Sequence, residues 1–335
     1  MTTERLGVAG DFDWRTALRR YGWTTGVWLL LIALLAFYAS TLPSFGSFQI
    51  ASIAKNSLPL VYLAIAQAII VIAGGIDLAV GSMLILSNAV AAQLMDGQSL
   101  GVSLLVAVLV IAMGAVLNGS VGWIIWVSKV PDIVVTLATL FIIAGLALLV
   151  LPSPGGGTSD MFRAIFTGST TGIGTNFWPA LVMMFLPMLV VAHWLKHSQN
   201  GLSLYATGSD PTAAYLSGVS TMKAKIVSYA LGGAFAALGG LASLAITGSG
   251  ESRFATASNF TLRSVAAIVL GGVALTGGIG SVVGAAAAGI VLFILSPVLS
   301  SLGVDPNTAQ VIQGSLIVVV MMVAGIIELR RERAE

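Results

Sequence analysis

Long apolar runs fill most of this chain, separated by short polar connectors. A run of about 20 residues, rising 1.5 Å per residue, matches the ~30 Å thickness of bilayer hydrocarbon. The pattern predicts spans near 23–42, 58–74, 78–96, 101–126, 132–151, 177–195, 224–246, 262–276, 279–301 and 308–328. The eighth is short and opens beside Arg263, so a re-entrant piece is an alternative there. The expected fold is an all-α polytopic membrane protein of about ten transmembrane or re-entrant helices. It divides into an N-terminal segment 1–22, a membrane domain 23–328 with a polar loop at 196–225, and a tail at 329–335.

Charge orients this pattern. With ten crossings, Arg5, Arg15, Arg19, Arg20, Lys129, Lys196, Lys223, Lys225, Arg330, Arg331 and Arg333 share one side. Only Lys55, Arg163, Arg253 and Arg263 fall on the other. Basic residues concentrate on the cytoplasmic side of membrane proteins, so both termini and the 196–225 loop are expected there. Composition agrees with the class: 57% of residues are hydrophobic and 8% charged, where soluble domains carry about a quarter. There is no cysteine, which removes disulfides and thiolate chemistry, and a net charge of +2 gives no footing for nucleic-acid binding.

Two kinds of polar segment interrupt the spans. Outer loops 151–176 and 248–259 are rich in glycine, serine and threonine, as solvated connectors or partner-docking loops are. Between the second and third spans stands Gly74-Gly75-Ile76-Asp77-Leu78-Ala79-Val80-Gly81-Ser82, with one carboxylate in otherwise uncharged flanks. An ionisable group there points to function or buried pairing, and the glycines loosen the helix. A similar break, Gly271-Gly272-Val273-Ala274-Leu275 to Gly280-Ser281, recurs near the end of the chain. Paired glycine-broken segments mark a transporter's pathway, although small-residue packing yields the same pattern. Gly74, Gly75, Asp77, Gly81, Ser82, Gly271 and Gly272 are therefore candidate pathway or hinge residues. Gln67 and Asn88, uncharged polar groups within spans, join them as candidates for hydrogen bonding to a solute or between helices. Asp77 suits a cap on the helix from Leu78 better than a direct solute contact.

Catalytic constellations are missing. No phosphate-cradling Gly-x-x-x-x-Gly-Lys-Ser/Thr occurs, nor a His-Glu-x-x-His, a Gly-x-Ser-x-Gly or a paired-carboxylate site. His193 and His197 share a helical face without a nearby carboxylate, which suits an interfacial position better than a metal site. No enzyme activity, cofactor or metal is expected.

The 196–225 loop expects company. Ser209 or Asp210 caps a short helix, Pro211 suits its first turn and Gly218 ends it. Two turns are not stable alone. Ala213 and Ala214 permit close approach, and Tyr215 with Leu216 offers apolar bulk to the membrane surface or a cytoplasmic partner.

Here the sequence resembles a family. Ala213-Ala214-x-x-x-Gly218 resembles the coupling-helix motif of ABC importer permeases, with Thr212 where many carry glutamate. The segment from Gly74 to Ser82 is similar to the Gly-Gly-Ile-Asp-Leu-Ser-Val-Gly-Ser signature of the ribose/galactose/xylose-type permeases, with Ala79 in place of serine. Tyr205-Ala206-x-Gly208, Leu216-Ser217-Gly218, Ala266 to Gly272 and Gly277-Gly278-x-Gly280-Ser281 extend the likeness over about residues 50–325. The resemblance implies a multi-pass subunit of the bacterial cytoplasmic (inner) membrane that passes a monosaccharide or similar small polar solute. Implied partners are a second permease subunit, identical or paralogous, a cytoplasmic ATP-binding subunit and a periplasmic solute-binding protein. Asp210, Ala213, Ala214, Tyr215, Leu216 and Gly218 would couple to the ATPase. The alternative is an ion-coupled secondary transporter or channel using Asp77.

Overall fold

The computed structural model describes residues 14–171, 173–305 and 307–316, with 318, 319 and 322. Among the described residues twelve helices have defined bounds, with a further helical stretch at 307–316: α1 Trp14–Thr41, α2 Ser47–Ile72, α3 Val80–Met95, α4 Leu100–Ser128, α5 Asp132–Val150, α6 Asp160–Thr167, α7 Trp178–His197, α8 Gln199–Ser209, α9 Pro211–Leu216, α10 Thr221–Thr247, α11 Phe254–Leu270 and α12 Val282–Ser301. Seven of them (α1, α2, α4, α5, α7, α10 and α12) are long and apolar enough to cross a membrane. Among the described residues there is no strand, only a bridge pairing Gly155 with Gly250. Segments 1–13 and 323–335, with Arg5 and the three C-terminal arginines, and much of the expected tenth span lie outside the described residues.

The bundle is organised around α2. Protein surrounds 94% of its most apolar window, against 28% for α4 or α5. Helix α2 packs against α7, α10, α11 and α12, while α3 fits between α5, α10 and α11. Leu104, Leu105, Val108, Leu109 and Val116 on α4, and Leu137, Phe141, Ile142 and Leu149 on α5, form apolar faces turned away from the protein. Glycine sets the close pairing of α4 on α10. A methyl on Gly114 would lie 2.5 Å from the Gly233 carbonyl, and one on Gly233 2.1 Å from that of Gly114. Small residues bring backbones together where lipid supplies no hydrophobic drive.

Hydropathy misplaced several boundaries. The expected start of the second span near residue 58 comes eleven residues late: α2 begins at Ser47 and carries Lys55 inside the helix, 6% exposed. Residue 55 is therefore not in a solvated outer loop. The reason is burial, because a helix sheathed by protein escapes the lipid's demand for an unbroken apolar run. Likewise the expected 262–276 span is α11, Phe254–Leu270, so Arg263 sits mid-helix and not at its start. Two short helices, α6 and α8, occupy segments read as loops; Ser159 caps α6 through Phe162 N–H, and Ser198 caps α8 through Gly201 N–H.

Candidate functional site

Both glycine breaks lie at the end of the bundle that carries α8 and α9, and they touch. Helix α2 ends with Gly74 at φ +72°, where Gly74 N–H bonds the Val71 carbonyl and Gly75 N–H that of Ile70. Helix α11 ends the same way, with Gly272 at φ +80° bonding Val269 and Val273 N–H bonding Ile268. This is the Schellman closure, which requires a left-handed residue at the helix end and so favours glycine. The echo is real, but its register differs by one from the sequence match: Gly74 corresponds to Gly272, not to Gly271. Gly271 does a separate job, packing on α12, where a methyl would lie 2.5 Å from Ala285 N.

The two breaks meet over Gly208, near the end of α8. Gly278 N–H bonds the Ile72 carbonyl at 2.9 Å, joining the second break to the end of α2. A Cβ on Gly208 would fall 1.9 Å from the Ile72 carbonyl oxygen and 2.6 Å from Gly278 N. One on Gly277 would fall 2.9 Å from Gly74 Cα. Tyr205, one turn back on α8, donates from its hydroxyl to the Gly280 carbonyl at 3.1 Å, and burial pushes its phenol pKa up. Three backbones thus cross where no side chain fits.

Asp77 holds the first break from within. Oδ1 accepts Ala79 N–H at 2.7 Å, and Oδ2 accepts the Asn118 amide of α4 at 2.8 Å. The carboxylate therefore closes a turn just ahead of α3, whose N-cap is Ala79. A second group, which reading the sequence alone missed, grips the same segment. Lys225 of α10 bonds Asp132 at 2.5 Å and the Gly74 carbonyl at 3.3 Å. Tyr229, one turn along, lies 2.9 Å from the same Asp132 oxygen and 3.1 Å from the Ile76 carbonyl. The signal was the Lys225/Tyr229 spacing of four, with Asp132 opening α5, but only the fold brings α5 to α10.

The other expected pathway residues are packed. Gly81 approaches α11 so closely that a Cβ would meet the Ala257 carbonyl at 2.0 Å, and its N–H bonds Thr261. Asn88 donates to the Gly240 carbonyl and accepts Glu251 N–H at 2.7 Å, tying α3 to α10 and the following loop. Gln67 and Ser82 are fully buried, and among the described residues neither the Gln67 amide nor the Ser82 hydroxyl finds a partner. His193 and His197 stack at 4.2 Å, and among the described residues no cluster of three metal-ligating side chains occurs.

Beyond Gly208, α9 stands at the surface. Asp210 accepts the N–H groups of Thr212 and Ala213, and Pro211 fills the first turn. Gly218, at φ +84°, closes the helix with the same Schellman pair, Gly218 to Tyr215 and Val219 to Ala214. Ala214 packs inward at 5% exposure, while Tyr215 and Leu216 stand out at 69% and 79%.

Comparison with known proteins fits this geometry. A family model described as the branched-chain amino acid transport system / permease component matches residues 49–321. The ribose import permease protein RbsC of Escherichia coli (strain K12) is 31% identical over 319 residues, 91% of this chain and 96% of the relative. The galactose/methyl galactoside import permease protein MglC of the same strain is 28% identical, covering 88% and 91%. The fructose import permease protein FruG of Bifidobacterium longum is 28% identical, covering 78% and 77%. No solved structure matches the chain significantly. A match over this length, with the glycine breaks and the capped surface helix inside it, means that the chain belongs to the branched-chain amino acid transport system / permease component family.

Proposed function

We propose that this chain is the membrane-spanning permease subunit of a binding-protein-dependent ABC importer, passing a monosaccharide or similar small polar solute through a bacterial cytoplasmic membrane. The observation that carries the mechanism is the crossing of Gly208 with Ile72, Gly74 and Gly277. Helix α9 offers Tyr215 and Leu216 to a cytoplasmic ATP-binding subunit, with both termini on that side. Movement of α9 passes through Ser209 to Gly208, and from there to the ends of α2 and α11. A partner that binds the two orientations of this joint with different affinity shifts the population between them. A second permease subunit completes the pathway, and an extracytoplasmic binding protein delivers the solute.

The rival reading gives Asp77 a coupling ion. Its two oxygens are already engaged by Ala79 and Asn118, which suits a structural carboxylate. Reconstitution decides between them. Uptake should require the ATP-binding subunit and ATP, and Leu216→Asp should abolish uptake while leaving the subunit inserted. ATP-independent uptake that Asp77→Asn removes would overturn the importer reading.

A further inference from the structure

One face of α11 is polar where it should not be. An open groove of about 350 Å³ on this helix is lined by Arg253, Ala255, Thr256, Asn259, Phe260 and Arg263. Arg263 donates through Nη2 to the carbonyl of Leu292 at 3.0 Å, and Leu292 lies midway along the 20-residue α12. The guanidinium therefore stands near mid-bundle, with no carboxylate partner among the described residues. Arg253 differs, since Glu251 holds it at 2.6 Å and also accepts the Thr256 hydroxyl at 2.8 Å. Asn259 is exposed and Arg263 half-buried, one helical turn apart. An arginine and an amide at this depth are expensive against hydrocarbon and occur where a helix faces water or protein.

We propose that the α11 face formed by Thr256, Asn259, Phe260 and Arg263 is a solute-contact surface on the translocation path, fitted to a neutral polyhydroxylated solute of monosaccharide size. The groove has room for a monosaccharide laid along the helix, and it combines an apolar wall with a few placed polar groups, as small-molecule sites do. The chemistry is right too. Arg263 offers a planar donor fork, Asn259 both a donor and an acceptor, and Phe260 an apolar ring for the C–H face of a sugar. Glu251 neutralises Arg253, so among the described residues only Arg263 carries an unpaired charge on this face, and its free donors, with the Asn259 amide, can be satisfied by a ring of hydroxyls. This assignment rests on the importer reading above.

The absence of cysteine from this chain supplies the test, because an introduced thiol is the subunit's only one and its labelling is read on the isolated subunit band. In vesicles holding the complete transporter, Asn259→Cys should react with a charged thiol reagent at least tenfold faster than Val108→Cys, on the exposed apolar face of α4. Modification should stop uptake of a neutral monosaccharide while ATP hydrolysis continues. Asn259→Ala and Arg263→Lys should each lower that uptake at least fivefold at equal amounts of inserted subunit. Equal reactivity at the two positions would place this face in lipid and overturn the proposal. Labelling without effect on uptake would also overturn it, as would a transporter that moves only carboxylated solutes. If the unmodified protein takes up sugar without ATP, the importer reading fails, whatever the labelling shows.

Discussion

The two glycine breaks share a helix ending and differ in what holds them afterwards. Segment 73–79 is gripped by side chains: Asp77 within it accepts from Asn118 of α4, while Lys225 and Tyr229, both held by Asp132, donate to its Gly74 and Ile76 carbonyls. Segment 271–281 is held mainly by backbone. Glycines at φ +95°, +70° and +146° (Gly277, Gly278, Gly280) shape it, Trp23 bonds the preceding Leu270 carbonyl, and Tyr205 bonds the Gly280 carbonyl. The same closure thus serves as a clamped joint in one place and as a glycine-rich joint beside α8 in the other. The comparison teaches that a repeated motif fixes where a helix ends, while its neighbours decide what the following chain is fastened to.

The largest way to break this arrangement is at the crossing itself. Gly208→Val would drive a side chain into the Ile72 carbonyl and the Gly278 backbone, and it should eliminate uptake and lower the yield of folded subunit, read by size-exclusion profile. Next comes the clamp. Lys225→Met leaves Asp132 part-buried without its cation, a loss of about 2 kcal/mol for an unpaired group of this kind. Thermal unfolding in detergent should show a lower midpoint, and Asp132→Asn with Lys225→Met should recover part of it. Asp77→Ala removes both of its bonds and should destabilise by about 1–2 kcal/mol, whereas Asp77→Asn keeps an acceptor for Ala79 N–H and should retain ATP-driven uptake. The smallest effect belongs to the second break: Trp23→Phe deletes one hydrogen bond to Leu270, worth about 1 kcal/mol, and should change uptake kinetics more than stability. If Trp23→Phe destabilised as strongly as Lys225→Met, the clamped and glycine-rich joints would not differ.

What the sequence made legible was local. Asp210, Pro211 and Gly218 announce α9 because capping acts within a few residues, and Gly74 announces its break because a left-handed helix end favours glycine. What stayed hidden was tertiary. Nothing along the chain says that Lys225 reaches Asp132, or that Gly208 lies against Gly278, since each pair joins residues far apart in sequence. Arg263 misled for the same reason: by hydropathy it marks a helix boundary, and only the fold shows it in mid-helix beside a groove. Doubled glycines fit two registers along the sequence, and hydrogen bonding selects the one that pairs Gly74 with Gly272.

The enclosure of α2 has a consequence for how the protein is made. This helix leaves the ribosome early, yet its neighbours α10 and α12 follow at Thr221 and Val282. At roughly 5–20 residues per second, α2 waits on the order of tens of seconds in the bilayer before its last wall is synthesised. During that interval Lys55, Asn56 and Gln67 have no finished bundle to shelter them. Insertion of this chain is therefore a problem of timing, and a pause before α12 would lengthen the interval in which its most enclosed helix stands unsheathed.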